Sequence, residues 1–321
     1  MPVLNSSYNP SFYFKNNYLN TIYKTLFVDE EIYYDRKRIL TKDGDFLDLD
    51  FSVNDNNVLA ICIHGLEGSS ESKYMKSTIK TLNKHHIDAV AINLKGCSGE
   101  LNHQFSAYHS GMTSDVEDVI NHILDNYSYE KIVIIGFSLG GNLTLKYIGE
   151  RGIINNKIKA AVAVSVPCDL HDSAIELAKT KNRIYMNVFL KTLKAKLIEK
   201  ARRYPEKNIN IEQVEKIKNF YDFDNLYTAP AHGFKDAEDY WKKSSSIHFL
   251  PNIQTPTLLI NAQDDSFLSK TCFPFEIAKE NPYFFLETPI YGGHVGFNTS
   301  FNEKKYKWSE HRILKFIQEN I

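Results

Sequence analysis

Six continuously apolar runs of strand length recur along this chain. They demand a sheet buried on both faces. The runs are VLAICI (58–63), AVAINL (89–94), IVII (132–135), AAVAV (160–164), TLLI (257–260) and YFFLE (283–287). A strand with one solvated face would alternate apolar and polar residues, and these do not. Most of the gaps between them hold stretches of roughly 10–15 residues with helical spacing. One carries Met75, Ile79 and Leu82. Another carries Val116, Val119, Ile120, Ile123 and Leu124, and opens with Ser114 and Glu117 in capping-box spacing. Strands alternating with helices in this way predict an α/β chain, with a mostly parallel central sheet and helices on both faces.

Three segments depart from the rhythm. Asp43-Gly44 divides RILTKDGDFLDLDF into two runs, the second with Phe46, Leu47, Leu49 and Phe51, and predicts a hairpin. Aromatic residues crowd the first 27 positions: Phe12, Tyr13, Phe14, Tyr18, Tyr23 and Phe27. They predict a short amphipathic helix that packs on the body, with membrane skimming as the alternative. Residues 168–250 are rich in Lys and aromatics and predict several helices with no strand. Tyr185, Phe189, Leu190, Leu193 and Leu197 make one apolar face there. So long an interruption predicts a helical cap inserted into a single 1–321 domain.

Composition narrows the function classes. Charged residues make up 24% and hydrophobic residues 43%, as in an ordinary folded chain rather than a disordered one. Lys and Arg number 38 against 39 Asp and Glu, which argues against a general nucleic-acid binder. No apolar run approaches the ~18 residues a membrane span requires, and no secretory leader is readable, so the expected location is the cytoplasm. Cys62, Cys97, Cys168 and Cys272 lie far apart, and Cys62 reads as a small buried hydrophobe. His85-His86 and the scattered acids lack ligand spacing, so neither metal nor cofactor is expected.

The sharpest local signal is KIVIIGFSLGGNLTLKYIGE (131–150). A buried strand runs into Gly136-Phe137-Ser138-Leu139-Gly140, and a helix pattern follows. G-x-S-x-G alone is weak, but at a strand-to-helix turn it lifts the serine hydroxyl above the sheet. Attack on a carbonyl creates an oxyanion, which needs preorganised N–H donors. Leu139 N–H is one candidate. Leu66 N–H is the other, in the loop HGLEG (64–68) after the third predicted strand. His64, ahead of the serine, reads as a loop residue, because the base of such a chain comes last in the order Ser, Asp, His. After TLLINA come Asp264 and Asp265. Either carboxylate could serve as the acid; Ala262 in the small position and Phe267-Leu268 in the apolar positions of the pattern usual around such an acid point to Asp265. After the last strand, Gly292-Gly293-His294-Val295-Gly296 offers His294 as the base, on a loop whose glycines let it bend.

With these motifs in place, the chain resembles the α/β-hydrolase superfamily, and more narrowly its YheT-like branch, which includes the mammalian abhydrolase-domain lipid hydrolases. The likeness spans nearly the whole chain. It is carried by NNYLNTIYKTLF (16–27), HGLEGSSESKY (64–74), NLKGCSGELN (93–102), YHSGMTSD (108–115), GFSLGGN (136–142), FDNLYTAPAHGF (223–234), DYWKKSSS (239–246), TPTLLINAQDDSF (255–267) and YGGHVGF (291–297). The resemblance implies an α/β-hydrolase fold and a serine hydrolase of carboxylic esters, often with an acyl or lipid moiety. It places the nucleophile on Ser138, the acid on Asp265 and the base on His294. Two positions depart from the pattern: Lys95 stands where many members have Arg, and Ser266 where many have Pro.

The expected chemistry is acyl transfer through Ser138 to water, with no metal and a small-molecule ester, lipid or otherwise, as partner. Thioesterase, amidase or acyltransferase activity would use the same three residues. A serine at the elbow disfavours dehalogenase and epoxide hydrolase chemistry. A non-catalytic ligand sensor on the same fold is the rival from another class.

Overall fold

The computed structural model describes residues 2–27, 30–301 and 307–321. In chain order its regular elements are β1 (Val3–Leu4), α1 (Asn17–Phe27), β2 (Asp35–Leu40), β3 (Phe46–Ser52), β4 (Val58–Ile63), α2 (Lys73–Lys84), β5 (Asp88–Asn93), α3 (Thr113–Asn126), β6 (Lys131–Phe137), α4 (Leu139–Arg151) and β7 (Ile158–Val164). There follow α5 (Leu170–Ala178), α6 (Arg183–Arg203), α7 (Ile211–Lys216), α8 (Phe220–Phe223), α9 (Ala229–Ala231) and α10 (Ala237–Ser244). The chain ends with β8 (Thr257–Ile260), α11 (Phe275–Glu280), β9 (Phe284–Glu287) and α12 (Trp308–Asn320).

Each apolar run becomes a strand. The sheet runs β1-β9-β8-β7-β6-β4-β5-β3-β2. Among the described residues only β2–β3 and β3–β5 pair antiparallel. Alternate side chains of the central parallel strands feed two separate cores. Leu59, Ile61 and Ile63 of β4 join Val116, Ile120 and Leu143 on one face. Ala60 and Cys62 join Met75, Ile79, Leu82 and Ile313 on the other. The helices that supply these residues, α3 and α4 on one side and α2 and α12 on the other, therefore cover both faces. Fully burying a side chain such as Ile79 contributes about 1.5–3 kcal/mol.

The Asp43-Gly44 hairpin forms: Gly44 has φ +80° and the flanking strands pair Leu40 with Phe46. Because β3 is interior, its polar positions are buried too. Asp48 and Asp50 survive there by pairing with Arg38 and Arg36.

One element was not read from the sequence, and two readings change. The two-residue β1, too short to leave a signature, pairs with β9. The capping box is absent. Helix α3 begins at Thr113 behind Met112, which makes no side-chain cap. Glu117 turns outward to Tyr147 and Arg151 instead of back toward the helix start. Helix α1 forms, but inside out. Its inward positions are Asn20 and Lys24, while Tyr18, Ile22, Leu26 and Phe27 face solvent. Of the early aromatics only Phe14 is fully buried. The inward groups tolerate burial because each is hydrogen-bonded: Asn20 to Phe14 O, Tyr8 and Asn298, and Lys24 to Glu310.

Candidate active site

Strands β4, β6, β8 and β9 are parallel, and the loops leaving their C-terminal ends converge. In open α/β sheets this is where ligands bind.

Ser138 occupies the turn between β6 and α4 with φ 52° and ψ −117°, a backbone state that costs a non-glycine residue about 1–3 kcal/mol. The turn is possible because its neighbours lack side chains. A Cβ on Gly136 would run into Gly140 O, and one on Gly140 into Ile63 O. The strained residue is held by its N–H, which donates to Val164 O at 2.9 Å. As N-cap of α4, Ser138 sits where the helix dipole favours negative charge.

The structure brings the three sequence candidates together. His294 places Nε2 2.9 Å from Ser138 Oγ and Nδ1 2.8 Å from Asp265 Oδ2. Asp265 Oδ1 accepts the Phe267 N–H at 2.9 Å, which fixes the carboxylate plane. The Phe267 ring stacks on the imidazole, centroids 4.1 Å apart. Asp264 points elsewhere and accepts the Gly293 N–H at 2.9 Å. Burial raises the Asp264 carboxyl to about 6; the Gly293 N–H opposes this and the neighbouring Asp265 charge adds to it.

Leu66 and Leu139 line a cavity that opens beside Ser138. The loop carrying Leu66 passes so close that a Cβ on Gly65 would lie 3.1 Å from Ser138 Cβ. His64 is fully buried. Its Nε2 accepts the Leu94 N–H at 3.1 Å, so the proton sits on Nδ1 and is donated to Gly65 O. Burial pushes its pKa down to about 4, leaving a neutral structural imidazole at ordinary pH.

The rest of the cavity is mostly apolar and mostly helical in origin, with His109, Ser110, Ser173, Asp224 and Thr228 as its polar lining. Leu170, Ala174 and Leu177 come from α5, Phe189 and Leu193 from α6, and Tyr240 and Trp241 from α10. The apolar face of α6 thus divides. Phe189 and Leu193 meet the cavity, whereas Leu190 and Leu197 pack against Val214, Phe223 and Tyr227 within the helical layer.

Several further site residues had no role assigned from the sequence, although Asn17, Thr21, Glu67, Tyr74 and Tyr108 lie within the stretches that carry the family resemblance. Thr21 Oγ1 accepts the His294 N–H and Asn17 Nδ2 donates to Asp264 O, both at 2.9 Å, so α1 holds the acid and base loops. Ser165 Oγ accepts the Val295 N–H. Tyr74 Oη accepts the Gly65 N–H at 2.8 Å. Tyr108 Oη accepts the Glu67 N–H and donates to Glu67 Oε1, which also pairs with Lys196 at 2.9 Å. Aromatic crowding near position 18 and a Lys-rich α6 were visible, but not their partners far along the chain.

The two departures from the family pattern acquire contacts. Lys95 is buried between Asp43 (2.6 Å) and Asp115 (3.0 Å). Asp115 Oδ2 is left without a partner among the described residues, the oxygen a forked guanidinium could reach. Ser266 exchanges two 2.7 Å hydrogen bonds with Asn182, tying the Asp265 loop to the start of α6. Asp169, His171 and Asp172 form the one cluster of potential metal ligands found among the described residues. It has a structural explanation: Asp169 caps α5 by accepting Asp172 N–H, and His171 bonds Asp172.

Comparison with known proteins decides the family. The α/β-hydrolase fold model matches residues 60–271. The chain belongs to the α/β-hydrolases. Within them it falls in the YheT-like branch. It is 32% identical to YheT of Escherichia coli (strain K12), named as a candidate esterase, over 95% of this chain and 91% of that one. It is 30% identical to a monoacylglycerol lipase of Saccharomyces cerevisiae over 84% of this chain, but spans only 61% of that relative. It is 28% identical to phospholipase ABHD3 of Bos taurus, covering all of this chain and 80% of that one. Among solved structures, the Pyrococcus furiosus esterase Pf2001 superposes with a TM-score of 0.60 at 18% identity, over 89% of this α/β-hydrolase and 91% of that chain. That likeness speaks for the fold alone.

Proposed function

We propose that this α/β-hydrolase cleaves carboxylic esters with an acyl or lipid moiety through an acyl-enzyme on Ser138. The carrying observation is the unbroken hydrogen-bond line Asp265–His294–Ser138 beside a mostly apolar cavity. The esterase and lipase names of its relatives support the same reading.

In this reading the Ser138 O–H donates to His294 Nε2, and the His294 Nδ1–H donates to Asp265. Attack on the ester carbonyl moves the serine proton to Nε2, and Asp265 stabilises the resulting imidazolium. The backbone N–H groups of Leu66 and Leu139 hold the oxyanion, each donor contributing about 3–4 kcal/mol to the transition state. The alcohol leaves with the proton from Nε2, and water repeats the sequence on the acyl-enzyme. The helices between β7 and β8 act as the cap expected over 168–250, because they supply most of the apolar wall. Substrate acyl chains then lie against Leu177, Phe189 and Leu193.

The test is a fluorophosphonate label followed by hydrolysis of p-nitrophenyl esters of increasing chain length. Prompt labelling at Ser138, lost in Ser138→Ala together with turnover, is the expected result. A folded protein that neither labels nor hydrolyses any ester refutes the reading and favours a ligand sensor.

A further inference from the structure

The first helix is built the wrong way round for a protein surrounded by water. Its polar residues Asn17, Asn20, Thr21 and Lys24, at helical spacing, face the body and are all hydrogen-bonded there. Its apolar residues Tyr18, Ile22 and Leu26 face outward, and Leu26 is 64% exposed. Phe27 and, just ahead of the helix, Phe12 are 67% and 82% exposed. These are not scattered residues. Rings of Phe12, Tyr13, Phe301, Tyr23 and Phe27 run in an unbroken series of contacts, centroids 5.2–6.0 Å apart. A contiguous apolar surface of this kind marks an interaction site.

The patch continues onto α6. Tyr18 stacks parallel on Tyr185 and donates to Lys181 O. On the same helix, Ile184 and Val188 stand one turn apart, 77% and 60% exposed. Beside them is a surface groove whose charged lining is entirely basic: Arg183, Lys191, Lys194 and Lys218, with no carboxylate. From Tyr185 a series of rings leads inward, through Phe267, to His294.

We propose that the outer face of α1, together with the start of α6, docks on an anionic lipid surface. Apolar and aromatic groups on a helix lying in the interface, with cations beside them, match the chemistry of such a surface. A second copy of this chain would bring the same four cations together, which disfavours self-association on this face. The docking rests on the surface alone. Only its consequence, delivery of a membrane-borne ester toward Ser138, rests on the hydrolase reading.

The experiment is flotation with vesicles of equal parts phosphatidylcholine and phosphatidylglycerol, with pure phosphatidylcholine as control. Light scattering on the free protein and hydrolysis of soluble p-nitrophenyl butyrate run in parallel. The wild-type chain is expected to float with the mixed vesicles, more weakly at high salt. Leu26→Ser/Phe27→Ser should weaken that binding by about tenfold or more, since both side chains lose their apolar burial. Arg183→Glu/Lys191→Glu should remove the preference for anionic vesicles. Both variants should hydrolyse the soluble ester at the wild-type rate, and Phe12→Ser replaces the first variant if that one fails to fold. No binding by the wild type, or binding unchanged in both variants, overturns the proposal. So does a wild-type dimer that Leu26→Ser/Phe27→Ser dissolves, because the face then serves self-association. Failure of the wild type on the soluble ester with vesicle binding intact would count against the hydrolase reading and leave the docking standing.

Discussion

Ser138 pays for its place by combining φ 52° with ψ −117°, a pair that only glycine adopts without strain. Replacing it with glycine should therefore separate stability from activity. Ser138→Gly is expected to raise the melting temperature, by relief of about 1–3 kcal/mol, while esterase turnover disappears. A melting temperature lower than wild type would show that the elbow is not strained. The adjacent carboxylates make a second contrast. Asp265 contacts the imidazole and Asp264 the Gly293 N–H, which an amide oxygen can also accept. Asp265→Asn should cut kcat by about 10⁴, as for a wrongly held tautomer, and Asp264→Asn by no more than about tenfold. The reverse ranking in steady-state kinetics would exchange their roles. Asp264 also carries a pH signature. Its folded pKa of about 6 lies above its unfolded value, so its contribution is present at low pH and lost as pH rises through about 6. Asp264→Asn should accordingly gain melting temperature relative to wild type between pH 4 and about 7.

Helix α1 carries two jobs on opposite faces, and each can be removed separately. On the inner face, Thr21→Val leaves the His294 N–H without its acceptor, while Thr21→Ser keeps it. The valine variant should lose kcat with KM for a short soluble ester little changed, and serine should restore it. Equal kcat in both variants would reduce α1 to a structural strap. The helix is fastened at its other end by Lys24 and Glu310, both buried. Burial alone would raise the Glu310 carboxyl, yet Lys24, Ser309 and Ser77 pull it down to about 2. A depressed folded pKa gives stability that is full above the unfolded value of about 4.5 and lost as pH falls toward 2. The melting-temperature gap between wild type and Glu310→Gln should therefore close on acidification below about pH 4. The aromatic content of this segment was plain in the sequence, but its inverted orientation was not. What turns the polar face inward is a set of partners some 280 positions away, such as Asn298 for Asn20 and Glu310 for Lys24. Periodicity reports which residues share a face, not which face meets the core.

At the scale of the whole molecule, local and long-range information divide in the same way. The six buried strands were legible because a parallel sheet covered on both faces demands continuous apolar runs, from Val58–Ile63 to Phe284–Glu287. The order of Ser138, Asp265 and His294 was legible because each follows a strand and the serine and histidine turns carry glycine. Absent from any motif was how the helical layer grips those loops. Lys196 of α6 reaches Glu67, next to the proposed oxyanion donor Leu66, across 129 positions. Asn182 holds Ser266, next to Asp265, and Tyr185 reaches His294 through Phe267. One helix and its leading turn thus contact the oxyanion and acid loops directly and the base loop through Phe267, so movement of that helix would disturb the site at several points together. The Lys196 contact tests this coupling. Glu67 is nearly buried and keeps its positive-φ turn while bonded to both Tyr108 and Lys196. Lys196→Met strands that carboxylate and should destabilise the protein by about 1–3 kcal/mol, the range for a buried polar group left unpaired. It should also lower kcat for short and long esters alike, since the disturbed element is the oxyanion loop and not the acyl wall. Adding Glu67→Gln removes the stranded charge, so the double variant should recover much of the stability. It should also recover part of the turnover, because Tyr108 can still donate to the amide oxygen. A loss confined to long-chain esters, unrelieved in the double variant, would instead assign Lys196 to the substrate pocket and sever the proposed link between the helical layer and the loop.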